Sequence, residues 1–258
     1  MVTLIRNLYQ YRELLKTNIQ KEIRGKYKGA WLGVLWSFLN PLLMLAVYAF
    51  IFPLIMGRDI PNYPVFLMVA LLPWNFFTTT IASSSFSVIS NGNILKKVYF
   101  PREIIPISVV ASCVVNFLIS CLIMVLFLLG SGVGISIHVL LFPFILLIET
   151  ILLLGCALFL SSATVYVRDL EHIVNVIIMA MFYATPVVYS LDMLPPKYQA
   201  ILMLNPMTTI INSYRDILFY HRLPNFTNLG IIFLVAIIIF TIGLVTFKKL
   251  EKNFAEEF

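Results

Sequence analysis

The feature that most constrains this chain is a succession of apolar runs, each long enough to cross a lipid bilayer, separated by short polar segments. Six runs can be marked, at residues 30–56, 63–89, 104–129, 139–167, 173–189 and 229–247. About 20 apolar residues in a helix cover the roughly 30 Å of hydrocarbon, and a backbone crossing it must satisfy its own polar groups. Hydrophobic residues make up 60% of the chain and charged ones 12%, with a mean hydropathy of +0.96; soluble domains hold about 45–50% and about 25%. The expectation is an all-α integral membrane protein, one domain over 1–258 with six transmembrane helices.

The polar segments have readable roles. In residues 1–28, Leu4, Leu8, Tyr11, Leu15 and Ile19 recur at helical spacing while Arg6, Glu13, Lys16 and Gln20 fall opposite. That pattern describes an amphipathic helix too polar to insert, lying along the membrane surface. Arg24, Lys26 and Lys28 then border the first run, where an anionic leaflet holds each cation by about 1 kcal/mol. Trp31 and Trp36 suit headgroup depth, and Gly25, Gly29 and Gly33 leave one helix face bare for a close neighbour. Pro73, inside the second run, is expected to kink it. Residues 190–225 are broken by Pro195, Pro196, Asn205-Pro206 and Pro224. Their short apolar pieces suit re-entrant or interfacial helices before the last span.

Charge placement orients the chain. Arg6, Arg12, Lys16, Lys21, Arg24, Lys26, Lys28, Lys96, Lys97, Arg102, Arg168, Lys248, Lys249 and Lys252 fall on one side of this arrangement, and Arg58, Lys197, Arg215 and Arg222 on the other. The positive-inside rule puts the first set, and both termini, in the cytoplasm. The net charge of +6 is therefore a topological signal, and no soluble domain remains to bind nucleic acid. Cys113, Cys121 and Cys156 lie within apolar runs as packing residues, the three histidines are scattered, and no metal site is expected. A cleavable signal peptide is not evident, because some thirty polar-rich residues precede the first run.

Catalytic patterns are missing as well. The chain has no GxxxxGK[ST] phosphate loop, so any ATP dependence must come from a second polypeptide, and no HExxH or GxSxG motif occurs. Glu149 is the one carboxylate well inside an apolar run. At that depth an ionisable group is either functional or a hydrogen-bonded tie between helices, and both readings stand. An ion-coupled secondary transporter would carry inverted repeats and several intramembrane charges; a membrane glycosyl or phosphoryl transferase would carry metal-binding acidic clusters at one face. Neither pattern is present.

The motifs Arg24-x-Lys26-Tyr27, Leu32-Gly33-x-x-Trp36, Asn40-Pro41, Pro73-Trp74, Lys96-Lys97-x-x-Phe100-Pro101-Arg102, Arg168-Asp169-Leu170-Glu171, Thr185-Pro186-x-x-Tyr189, Asn205-Pro206 and Tyr214-Arg215-Asp216 occur in this order along the whole chain. The chain so resembles the membrane subunit of polysaccharide ABC exporters, the permeases for O-antigen and teichoic acid. The resemblance implies a homodimer in a bacterial plasma or inner membrane, working with two copies of a separate ATPase that binds ATP and Mg, and moving a lipid-linked polysaccharide. Wall teichoic acid is the alternative cargo within the family.

It further implies that residues 91–102 form a cytoplasmic coupling segment docking into the ATPase through Ile94, Leu95, Lys96, Lys97, Val98, Tyr99, Phe100, Pro101 and Arg102. Residues 190–225 become an extracytoplasmic gate containing Asn205, Pro206, Tyr214, Arg215 and Asp216. The first and fifth spans would line the channel, where aromatic faces stack on sugar rings; Tyr48, Phe52, Trp74, Phe182, Tyr183 and Tyr189 are the candidates. Arg24, Lys26 and Lys28 would gather the phosphate headgroup, with Arg24 the bidentate ligand.

Overall fold

In a computed structural model, residues 2–27, 35–56, 60–97 and 100–254 are described, and they are helical with no strand among them. Two amino-terminal helices, α1 (Val2–Gln10) and α2 (Arg12–Tyr27), precede α3 (Trp36–Met56) and α4 (Tyr63–Ser85). Two short helices follow, α5 (Ser87–Ser90) and α6 (Gly92–Lys97), and then α7 (Ile104–Gly130). A 3-10 turn at Ile137–Leu141 leads into α8 (Phe142–Tyr166), followed by α9 (Leu170–Tyr183). The chain closes with α10 (Pro196–Leu202), α11 (Pro206–Leu218) and α12 (Phe226–Leu250). Among the described residues, Tyr63–Ser85, Ile104–Gly130, Ile137–Tyr166 and Phe226–Asn253 are long and apolar enough to cross a membrane, and Leu39–Phe52 and Leu170–Tyr183 are shorter apolar helices.

The bundle is organised on α4. Its side chains are apolar on every face, which favours burial on all sides, and it packs against α3, α7, α8, α9 and α11. Helix α4 continues through Pro73. Serines at and just beyond its carboxy-terminal end bond back to its backbone: Ser84 donates to the Thr80 carbonyl at 2.6 Å, Ser85 to Ala82 at 2.9 Å and Ser87 of α5 to Ser84 at 2.7 Å. Such back-bonding lets hydroxyls be buried without a partner on another helix.

Helices α8 and α12 touch at a glycine pair. A Cβ on Gly155 would stand 2.5 Å from the Phe240 nitrogen, and one on Gly243 2.2 Å from the Gly155 carbonyl oxygen. Only a bare Cα allows backbones this close, which is how membrane helices gain dispersion contact where lipid offers no hydrophobic drive.

Two expectations change. The amphipathic segment is two helices, not one, with the break at Tyr11; its apolar face nevertheless turns inward, Leu4 being buried while Arg6, Glu13, Lys16 and Gln20 are exposed. The run at 173–189 is helical only as far as Tyr183. Pro186 has no N–H to continue the ladder, and the carbonyls beyond Tyr183 bond to side chains of other elements, described below. Residues Lys28, Gly29, Trp31, Gly33, Arg58, Val98 and Tyr99 lie outside the described residues.

Besides the main core, a second buried cluster closes one end of the bundle. Val88, Leu95, Phe100, Ile104, Leu158, Val165, Phe247 and Phe254 form it, with Leu8, Tyr11, Leu14 and Leu15 of the amino-terminal helices against it. The segment from Ala184 to Asn225 caps the other end.

Candidate functional site

At the capped end, the chain leaving α9 is held almost atom by atom. Arg215, on α11 and 1% exposed, donates to the carbonyls of Pro186, Val187 at 2.6 Å and Tyr189 at 3.2 Å. The Tyr63 hydroxyl takes the remaining carbonyl, Val188, at 2.7 Å. The guanidinium carbon lies 3.6 Å from the centroid of the Phe66 ring. A guanidinium supplies several donors in one plane and stacks on a ring face, so a turn of carbonyls can hold it without a carboxylate.

Asn205 completes the clasp. Its carbonyl oxygen accepts from the Met207 nitrogen at 3.0 Å, capping α11 with Pro206 as the first helical residue, while its amide donates to the Thr185 hydroxyl at 2.8 Å. Asp216, next to the clasp, pairs with Arg222 at 2.7 Å; partial burial pushes its carboxyl up, against the pull of Arg222.

One helical step from Arg215, the Tyr214 hydroxyl donates to Glu149 Oε2 at 3.1 Å, tying α11 to α8 with both residues wholly buried. Beside this tie, α3, α4 and α9 bring together a chain of rings. Tyr48 lies 5.6 Å from Phe52 and 5.7 Å from Phe182, which is 5.8 Å from Trp74 and 5.4 Å from Tyr183. Trp74 is buried and Tyr183 is 69% exposed, so the row runs from the core to the surface of the subunit. Tyr189 reaches α9 through its hydroxyl, which donates to the Tyr183 carbonyl at 3.0 Å. Between α3, α4 and α7 a cleft of about 680 Å³ carries Asn40, Asn75, Thr79, Asn116 and Ser120 among apolar walls.

At the opposite end, Lys21 on α2 donates to Asn91 Oδ1 at 2.8 Å. Glu103, fully buried before α7, accepts from Asn7 of α1 at 3.1 Å and pairs with Lys248 of α12 at 2.8 Å. Leu95 and Phe100 are buried in the second cluster, 9% and 7% exposed, whereas Ile94 is 43% exposed.

A family model described as ABC-2 type transporter matches residues 13–219, a stretch that includes the clasp, the ring row and the buried tie. The chain belongs to the ABC-2 type transporter family. It is 37% identical over 258 residues to the O-antigen export system permease protein RfbA of Myxococcus xanthus, covering 99% of each chain. To the RfbA permease protein of Klebsiella pneumoniae it is 39% identical over 251 residues, covering 97% of this chain and 96% of the relative. The polysialic acid transport protein KpsM of Escherichia coli is 22% identical over 245 residues, covering 90% of this chain and 91% of its own length.

In this ABC-2 transporter the residues marked from sequence separate into four groups. Tyr48, Phe52, Trp74, Phe182 and Tyr183 come together, and so do Thr185, Pro186, Tyr189, Asn205, Pro206 and Arg215. The residues expected to couple divide: Ile94 faces out, Leu95 and Phe100 face in, and Arg102 donates to the Glu251 carbonyl of its own chain. Of the cations expected at the headgroup, Arg24 is exposed on α2; Lys28 lies outside the described residues, and the Lys26 side chain is likewise not described.

Arg215, counted as an outer-side cation, is in fact buried. Sequence reasoning missed the Glu103–Lys248 pair and the Gly155–Gly243 contact. Glu103 stands beside the Phe-Pro-Arg motif, and an acid flanking an apolar run is a usable signal; the glycine contact joins residues far apart in sequence, which no local pattern marks.

Proposed function

We propose that this chain is the membrane-spanning permease subunit of an ATP-driven exporter that carries a lipid-linked polysaccharide of the O-antigen class out of the cytoplasm. The similarity to the RfbA permeases along 99% of the chain carries this reading. A homodimer spans the inner membrane with six helices per copy and both termini inside, adding α3 and α9 to the four longest helices. Two copies of a separate ATPase bind ATP and Mg and dock at the end where the amino-terminal helices, Asn91 and Ile94 meet. The ring row across α3, α4 and α9 faces the conduit formed with the second copy, and α10 with α11 gate its outer mouth. Aromatic faces suit a moving glycan because stacking on C–H surfaces does not fix one register, as a dense hydrogen-bond array would.

At the inner mouth, Arg24, Lys26 and Lys28 gather the phosphate or pyrophosphate of the lipid carrier by charge complementarity. The test is export in cells that make the glycan but lack their own permease. Co-expression of this chain with its ATPase restores surface glycan, and Arg24→Gln with Lys26→Gln and Lys28→Gln lowers both export and glycan-stimulated ATP hydrolysis while the complex still assembles. Normal export by the triple variant would reduce the cluster to a membrane anchor. Saturable ATP hydrolysis by the purified chain alone would remove the permease assignment.

A further inference from the structure

The last described turn of the chain does more than end α12. Phe254 is fully buried, its ring 5.7 Å from Phe247 and 6.4 Å from Tyr166. The Tyr166 hydroxyl, at the end of α8, donates to the Leu250 carbonyl at 2.9 Å. Arg102, the final residue of the 91–102 segment, donates to the Glu251 carbonyl and places its guanidinium carbon 5.7 Å from the Phe254 ring centroid. One residue on, Glu103 holds Lys248, whose ammonium also reaches Glu251 at 3.0 Å. The buried carboxylate takes Asn7 of α1 on its other oxygen. Four separate parts of the chain therefore converge where the 91–102 segment ends.

We infer that the turn from Glu251 to Phe254 is a strut that fixes the 91–102 segment to α8 and α12, with Arg102, Glu103, Lys248 and Phe254 as positioning residues that convert movement of the segment into movement of the bundle. The inference rests on the proposed export function. A segment pushed at an exposed Ile94 transmits force only if its far end is anchored, and the start of α7 alone leaves that end free to pivot. The contacts seen here remove the pivot. A buried carboxylate pairs in a defined direction and is screened little by salt, a planar guanidinium orients itself on a ring, and a close-packed phenyl yields little. From the strut, rigid contacts continue: α12 meets α8 at Gly155 and Gly243, α8 meets α11 through Glu149 and Tyr214, and α11 holds the end of α9 through Arg215.

The test uses the full permease–ATPase complex in glycan-producing cells and in purified form. Three quantities are read for each variant: ATPase retained by the permease, ATP hydrolysed, and polyprenyl-linked glycan exported. A loss of stability lowers hydrolysis and export together, so the deciding quantity is glycan exported per ATP hydrolysed. Phe254→Ala is expected to keep the ATPase bound and active while this ratio falls about fivefold or more, the range of an ordinary coupling energy. Phe254→Leu, which keeps the burial but removes the ring beside Arg102, should lower the ratio less than Phe254→Ala does.

An unchanged ratio in assembled Phe254→Ala overturns the strut. Should that variant fail to assemble, Arg102→Lys and Lys248→Gln leave the apolar packing in place; normal ratios in both overturn it equally, and lowered ratios in either support it. If the unaltered complex exports no glycan, the failure lies with the export function itself.

Discussion

Arg215 donates to the Val187 carbonyl at 2.6 Å from a fully buried position, and through the same guanidinium to the carbonyls of Pro186 and Tyr189. A cation on α11 thereby satisfies carbonyls of the non-helical chain that follows α9. Asn205 binds Thr185 and Tyr63 binds Val188 as well, so the chain leaving α9 is tied to both α11 and α4. In the proposed gate, opening would have to move them together.

Replacing Arg215 tests that unity. The three N–H donors of lysine radiate from a single nitrogen with no planar fork, so Arg215→Lys cannot span the spread carbonyls and lie flat on the Phe66 ring; each buried group left unpaired costs about 1–3 kcal/mol. Arg215→Lys is expected to lower both the melting temperature in detergent and export, and Arg215→Met to lower them further. Unaltered melting and export in the lysine variant would show that the clasp is dispensable.

The contact between α8 and α12 should tolerate no side chain. Gly155→Ala puts a methyl 2.5 Å from a backbone nitrogen, and overpacking of this kind costs about 1–3 kcal/mol. Gly25→Ala, where nothing lies within 4 Å, serves as the control and should melt with the parent protein. Equal melting of the two variants would contradict the close approach.

Exposure discriminates among the coupling residues. A cysteine at Ile94 is expected to crosslink to the ATPase with a short bifunctional reagent, whereas one at the buried Leu95 or Phe100 should not and should weaken assembly instead. Crosslinking at Leu95 in preference to Ile94 would mean that the docking face is the opposite one.

Glu149 is expected to act as a tie between helices and not as a proton carrier, since a single carboxylate offers no relay across the membrane. Glu149→Gln keeps an acceptor for the Tyr214 hydroxyl and should leave export largely intact. Glu149→Leu strands that hydroxyl in the core, and a loss of stability of about 1–3 kcal/mol follows, read as a lower melting temperature. Complete loss of export in a well-assembled glutamine variant would show that the charge itself matters.

What the sequence determined on its own were the features set by local periodicity and composition: the apolar helices, the inward face of Leu4 and Leu8, and the proline-broken segment before α12. Each depends on residues within a few turns of one another, and a lipid solvent punishes any irregular backbone it touches, so pattern and structure agree there. Tertiary structure alone decided which charges are free and which are spent. Arg102, read as part of the docking surface, turns inward to Glu251, and Arg215, read as an outer-side cation, disappears into a ring of carbonyls. Glu103 and Lys248 meet across 145 positions of chain (248 − 103), and Gly155 and Gly243 across 88 (243 − 155). Such pairings follow from how whole helices pack, because a polar group in a dry interior takes whatever partner the bundle brings within reach, however distant in sequence.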